Sequence, residues 1–314
     1  MIRRASLPKV LLLLAAFVFF SANTVYFVEG GDNPALRAKS DPTYHFDFDH
    51  VREKTPYLNV KAAIAVNYAN GEVIYTKNAE TPRSIASISK LVSAMVLIDQ
   101  NVNWDSTQTI TKEDAYRSSR SRLRVGYELT LRDLLYAALM NSDNRATRAL
   151  ARACSGTIEA FVEEMNRKVK SLGLKETVFY EPTGLDSRNV STAHEVAKVL
   201  HYATDYELIA DITSQRSQKV TVVNRRNRRL QMANTNLMIY SPYEVLSGKT
   251  GYIRAADYCL ATLIEDRHGD QLTVVLLGCP GNRLRFRETR KLSNWAFNEI
   301  REAREARAEE LAAK

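Results

Sequence analysis

Between residues 86 and 210 the apolar positions recur with the 3.6-residue period of a buried helix face. Ile88, Leu91, Val92, Met95 and Val96 form one stripe. Leu131, Leu134, Leu135, Ala138 and Leu139 form a second, and Ile158, Phe161, Val162 and Met165 a third. Thr130 with Asp133, and Thr192 with Glu195, are spaced as helix caps, in which a hydroxyl accepts the N–H three residues on. On either side of this block the apolar runs shorten. Lys61 to Ala69 and Glu72 to Lys77 flank Asn70-Gly71, a dipeptide whose left-handed conformers favour a two-stranded hairpin. KVTVVN, RLQMANT, ADYCLATLIE and QLTVVLLGC predict further strands, the last two joined by the turn Arg267-His268-Gly269-Asp270. From about Leu284 to Leu311 the pattern predicts a charged helix that can pack through Phe286, Leu292, Trp295, Phe297 and Ile300. The expected class is α/β in the α+β sense: an antiparallel sheet assembled from both ends of the chain, with a helical block inserted. Adjacent hairpins argue against a doubly wound parallel sheet.

The amino terminus follows a different rule. MIRRASLPK is basic, and Val10 to Ala22 is unbroken apolar sequence, the layout of an export signal. Apolar character resumes over Val25 to Val28, so residues 1–30 read either as a cleaved signal or as a membrane anchor. Residues 31–55 are polar and interrupted by proline, as in a linker. Residues 56–303 then form the expected catalytic domain, with sheet at about 56–83 and 215–303 and the helical insertion at about 84–214. Residues 304–314 are read as a charged helical tail. Either amino-terminal reading puts the working domain outside the cytoplasm.

With 45% hydrophobic and 25% charged residues, the chain has globular composition. A net charge of +8 suits anionic polymers in general, nucleic acid or cell wall alike. The one basic cluster, Arg225-Arg226-Asn227-Arg228-Arg229, has no aromatic interleaving and lies between two strands of an exported chain. It reads as a solvated turn rather than a nucleic-acid surface. No C-x-x-C or H-E-x-x-H spacing exists, and His194 and His201 are placed as one helical face, so neither metal nor organic cofactor is expected. Cys259 and Cys279 lie symmetrically about the turn at Gly269. Directly opposed strand positions are farther apart than a disulfide prefers, so two reduced core thiols are expected over a bridge. Cys154 reads as a small apolar helix residue.

Ser87-Ile88-Ser89-Lys90 opens the first helical stripe. Positions i and i+3 share a face, so Lys90 stands beside the Ser87 hydroxyl. A serine needs a base to become a nucleophile, and a lysine serves only if burial or a nearby cation lowers its proton affinity. Leu91 and Val92 supply apolar walls. The pair alone is weak: Ser6-Leu7-Pro8-Lys9 has the same spacing and sits in the targeting segment. Two further triplets occur once each and in order, Ser142-Asp143-Asn144 and Lys249-Thr250-Gly251. Together the three are a signature of serine acyl-transfer enzymes that react with penicillin.

On these motifs the chain resembles the penicillin-binding protein and serine β-lactamase superfamily. The stretches RSIASISKLVSAMV, SRLRVGYELTLRDLLYAALMNSDNRA, VFYEPTGLDSRNVSTAHEVAKV, ANTN and SGKTGYIRAADYCLAT bring it nearest to D-alanyl-D-alanine endopeptidases of the penicillin-binding protein 7 type, over roughly residues 56 to 300. The resemblance implies that fold, a serine D,D-peptidase acting through an acyl-enzyme on peptidoglycan peptides, β-lactams as covalent inhibitors, and a periplasmic setting among other wall enzymes. It implies Ser87 as nucleophile, Lys90 as its base, Ser142 as proton relay to the leaving amine, and Asn144 as a holder of Lys90 and the substrate amide. Lys249 would bind anionic charge and help keep Lys90 neutral, and Thr250 would bond a substrate carboxylate or carbonyl. Gly251 would let the backbone approach the substrate, and the N–H groups of Ser87 and Tyr252 would form the oxyanion hole. A class A β-lactamase would need a deacylating glutamate; Glu181-Pro182-Thr183-Gly184-Leu185 lacks the acidic residue and asparagine that follow it there, and reads as a turn. Larger D,D-carboxypeptidases append a β-rich domain, whereas only about 60 residues follow Gly251, which favours the endopeptidase type over the carboxypeptidase.

Overall fold

Asn70-Gly71 does close the first hairpin, with Gly71 at φ +75°, between β1 (Ala62–Asn67) and β2 (Val73–Lys77). The computed structural model describes residues 46–47, 55–118, 121–226 and 228–313; the signal or anchor at 1–30 and most of the linker lie outside them. After β3 (Arg83–Ser84) and a 3-10 turn (Ala86–Ile88) comes α1 (Ser89–Asp99). The short strands β4 (Thr107–Thr109) and β5 (Glu128–Thr130) pair with each other and lead into α2 (Leu131–Met140), α3 (Asn144–Ser155) and α4 (Ile158–Ser171). β6 (Val190–Ser191) pairs with β3, and α5 (Ala193–Thr204) and α6 (Glu207–Ser214) follow. The caps are those the spacing predicts: Thr130 accepts from the Asp133 N–H and Thr192 from the Glu195 N–H.

The chain then returns to strands. β7 (Ser217–Val222) and β8 (Arg228–Ala233) form a separate hairpin, whose turn carries Arg225 and Arg226. β9 (Glu244–Ile253), β10 (Asp257–Glu265) and β11 (Gln271–Cys279) precede the long α7 (Asn282–Ala312). The main sheet has the order β2-β1-β11-β10-β9 and is antiparallel throughout. The two ends of the chain meet at its centre, where Ala62 faces Leu277 and Ile64 faces Val275.

Both faces of this sheet are covered, so its strands read as apolar runs rather than alternations. Ala62, Ile64, Val66, Ala261, Leu263, Val275 and Leu277 pack with the helical block. Ala63, Ala65, Leu260, Leu272, Val274 and Leu276 pack on the other side with Phe286, Leu292, Phe297 and Ile300 of α7. Each fully buried Val, Leu, Ile or Phe side chain among these contributes about 1.5–3 kcal/mol, and each alanine methyl less. α1 runs through the first of these cores and is buried from Ser89 to Ile98.

The symmetric register expected for Cys259 and Cys279 does not occur. The β10–β11 ladder is centred on His268 rather than Gly269, with Glu265 facing Gln271 and Leu260 facing Leu276, and it then shifts between Tyr258 and Leu260, so that Cys279 faces Tyr258. Gly278, at φ +73°, takes up the extra residue of this bulge. Cys259 therefore belongs to the helical core and Cys279 to the α7 core, and both are free thiols, as is Cys154.

Candidate active site

The nucleophile motif lies one turn earlier than a regular helix start. Ser87 sits in the 3-10 turn ahead of α1, after Ala86 in the left-handed region at φ +49°. Side chains rarely adopt that conformation, and its cost is sustained only where packing enforces it. Lys90, in the first turn of α1, is 1% exposed. Its Nζ lies 2.9 Å from Ser87 Oγ, 2.7 Å from Asn144 Oδ1 and 2.5 Å from the Thr183 carbonyl. Two of these partners only accept, while the hydroxyl can donate as well. A neutral amine fits such a set: two N–H groups go to Asn144 and Thr183, and the lone pair faces the Ser87 hydroxyl. With Lys90 protonated, Ser87 Oγ can instead donate to the Thr183 carbonyl, 3.2 Å away. Burial is the main force on Lys90, and pushes it down to about 7. The carboxylates of Glu181 and Asp143 pull the other way, and Arg148 adds to the depression.

The second motif is a turn between two helices. α2 ends at Met140, Ser142 takes φ +57°, and Asp143 caps α3 by accepting from the N–H groups of Arg145 at 2.9 Å and Ala146 at 3.2 Å. This turn aims Ser142 toward β9 and Asn144 toward Lys90. The third motif lies within β9 rather than at a strand start. Lys249, 1% exposed, donates from Nζ to Ser142 Oγ at 2.8 Å and to the Thr250 carbonyl at 3.0 Å. Thr250 Oγ1 meets Thr235 Oγ1 at 2.6 Å, and Tyr252 is half exposed and stacks on Tyr258. All three motifs, and each residue singled out in them, thus converge on one site.

Comparison with known proteins places the chain in a family. Residues 49–280 match the D-alanyl-D-alanine carboxypeptidase family of peptidases. A D-alanyl-D-alanine endopeptidase of Escherichia coli is 34% identical over 76% of this chain and 78% of its own. One from Pseudomonas aeruginosa is 33% identical over 74% and 76%. The crystal structure of a Streptomyces DD-transpeptidase superposes with a TM-score of 0.72 at 27% identity, over 78% of this chain and 99% of that one. The chain belongs to the D-alanyl-D-alanine carboxypeptidase family.

In this member of the carboxypeptidase family of serine peptidases, the turn bearing Ser87 rests on residues that the motifs do not include. Glu181 to Gly184 do form a turn, but the Glu181 carboxylate organises it. That carboxylate accepts from the N–H groups of Thr183 at 2.9 Å and Leu185 at 2.7 Å, from the Gly184 N–H, and from the Thr183 hydroxyl at 2.6 Å. Asn189 holds the Glu181 carbonyl at 2.7 Å, and Ser93 of α1 holds the Pro182 carbonyl at 2.7 Å. The Thr183 carbonyl is thereby fixed between Lys90 and Ser87. Glu181 itself is consumed by these bonds.

Gly251 is small because β9 abuts the nucleophile turn: a Cβ there would lie 2.7 Å from the Ile85 carbonyl oxygen and 3.3 Å from the Ser87 nitrogen. Its lack of a side chain lets β9 approach that turn closely. Burial is the first cause of the low proton affinity of Lys90, and it also leads at Lys249, where repulsion from Lys90 and Arg285 adds to it and holds the group well below the usual lysine range; that repulsion between the two lysines is mutual. Arg285, on α7, was not legible as part of this site. It is buried and donates to the carbonyls of Gly251 and Cys259, each at 3.0 Å, bracing β9 from behind.

Proposed function

We propose that the protein is a serine D,D-peptidase that cleaves D-alanyl bonds in peptidoglycan peptides, chiefly as an endopeptidase on cross-links. The observation that carries this reading is the fully buried Lys90 amine, 2.9 Å from Ser87 Oγ and with its proton affinity brought down to about 7. Neutral Lys90 takes the hydroxyl proton as Ser87 Oγ attacks the carbonyl of the penultimate D-alanine. The N–H groups of Ser87 and Tyr252 receive the developing oxyanion, where preorganised donors contribute most in acyl transfer. Ser142, bonded to Lys249, gives its proton to the departing amine and is reprotonated at the expense of Lys90, which so returns to the neutral form. Water then attacks the acyl-enzyme, with Lys90 again as the base, and restores Ser87. Lys249 and Thr250 bind a substrate carboxylate, whose charge stabilises the ammonium form of Lys249 against its burial.

Carboxypeptidase action on free pentapeptides uses the same groups. The two relatives above 30% identity that bear the endopeptidase name support the cross-link as the main substrate. Export by the amino-terminal segment, to the periplasm or as an anchor on the outer face of the inner membrane, places the enzyme beside that substrate. Among the described residues no helix is long and apolar enough to cross a membrane. Neither nucleic acid nor a metal takes part in this reading. A fluorescent penicillin tests it directly: covalent label on the peptide containing Ser87, lost in Ser87→Ala, is the expected result. Label on another residue, or none, rejects it. Incubation with cross-linked muropeptide dimers and with free pentapeptide then ranks the two activities.

A further inference from the structure

α3 carries Arg145, Arg148 and Arg152, and all three are engaged with backbone that precedes α2 in the chain. Arg145 donates to the carbonyls of Leu123 and Ser118, both at 2.7 Å. Arg148 donates to those of Asp114, at 3.3 Å, and Tyr116. Arg152 donates to the Thr109 carbonyl at 3.0 Å and the Asp114 carboxylate at 2.9 Å. The helix that begins with Asn144 thus fixes the segment bearing Arg117 as one wall of a cleft of about 440 Å³. Arg117 lines that cleft, and so does Arg254, from the turn after β9, together with Ser142, Asn144 and Tyr252.

The charge of this cleft is one-sided. Asp143 is the acidic residue in its lining, and it is buried, with its oxygens held by Ser121 and by the first N–H groups of α3. Some surface arginines elsewhere pair with carboxylates, as Arg188 does with Asp186 and Arg304 with Asp270. Among the described residues neither Arg117 nor Arg254 has a carboxylate partner; Arg117 lies over the ring of its neighbour Tyr116. Both are exposed. A planar guanidinium presents a fork of donors matched to a carboxylate, and two of them lining one cleft with Ser142 and Asn144, with no exposed acidic counterpart in that lining, suit an anionic peptide.

We propose that Arg117 and Arg254 form a carboxylate clamp at the cleft, selecting peptides with a free carboxylate near the scissile amide in addition to the one assigned to Lys249 and Thr250. This inference rests on the peptidase reading of Ser87, and its test separates the two. Steady-state hydrolysis is measured on two muropeptide dimers that differ only in whether the carboxyl groups beside the cross-link are free or amidated. Arg117→Gln and Arg254→Gln each raise KM for the free-acid dimer about three- to fivefold at low salt, as for exposed ion pairs, with kcat little changed. The rise for the amidated dimer is smaller, added salt narrows the difference, and Arg→Lys at either position restores part of the loss. An unchanged KM for the free-acid dimer in the double variant, or equal losses on both dimers, overturns the clamp. Penicillin labelling of the same samples reports on Ser87: a wild-type protein that does not label overturns the underlying reading, whereas labelling with no discrimination overturns the clamp alone.

Discussion

Gly184→Ala is the most informative single change, because one methyl group is aimed at the backbone of the nucleophile. Gly184 has φ +85°, and a Cβ there would sit 1.9 Å from the Ala86 carbonyl oxygen, 2.2 Å from its carbon and 2.6 Å from the Ser87 nitrogen. The neighbouring atoms are main chain, so no rotamer change relieves the contact. A left-handed alanine costs about 1–2 kcal/mol, and overpacking a filled site costs about 1–3 kcal/mol more. Together these correspond to a fall of roughly 5–15 °C in Tm for a domain of this size. Relief requires the Ala86–Ser87 backbone to move on the order of 1 Å, a displacement that costs about a hundredfold in rate at a preorganised site. The assay is the second-order rate of acylation by a fluorescent penicillin, measured below the Tm of the variant. Gly156→Ala and Gly173→Ala are the controls: both glycines have positive φ, at +76° and +71°, but nothing lies within 4 Å of an added Cβ. They should lose about 1–2 kcal/mol of stability and no acylation rate. Wild-type acylation in Gly184→Ala would refute the claim that this turn sets the position of Ser87.

The proposed role of Lys90 as base requires its neutral form, so penicillin acylation should rise with pH through a midpoint at about 7 and level off above it, measured by stopped-flow labelling; a rate that falls over that range contradicts the assignment. The Glu181 carboxylate holds the Lys90 midpoint up, so Glu181→Gln should move it to lower pH, and should slow acylation about tenfold as the Thr183 carbonyl loosens. Denatured, unreduced protein should take up alkylating reagent at Cys154, Cys259 and Cys279, which a native disulfide would prevent at two of them.

The fold was legible where period and turn chemistry agree. Asn70-Gly71 placed the first hairpin, and Thr130 and Thr192 marked helix starts through bonds that involve neighbours in sequence. The convergence of Ser87, Ser142 and Lys249 was legible because three short motifs keep their chemistry wherever the chain carries them. What escaped depends on distant backbone. Nothing in Glu181-Pro182-Thr183-Gly184 announces that its second-last carbonyl will meet a lysine in α1, and nothing in Arg285 announces that it will bond the carbonyl of Gly251. Cys259 and Cys279 are not opposed because the turn is centred on His268, one residue before the expected Gly269, and the bulge at Gly278 then moves the second thiol to the opposite face of the sheet.

The pairing of β1 with β11 also governs when this enzyme can work. Ala62 and Leu277 are more than two hundred residues apart in the chain, yet they are neighbours in the central ladder. Such non-local contacts carry a large loop-closure entropy and form late, whereas the helices between them can gather early through contacts close in sequence. The strand that bears Lys249 reaches β1 only through β10 and β11. A nascent or truncated chain that ends before β11 should therefore hold a preformed helical half and remain blind to penicillin, so that the capacity to be acylated doubles as a signal that synthesis and folding are complete.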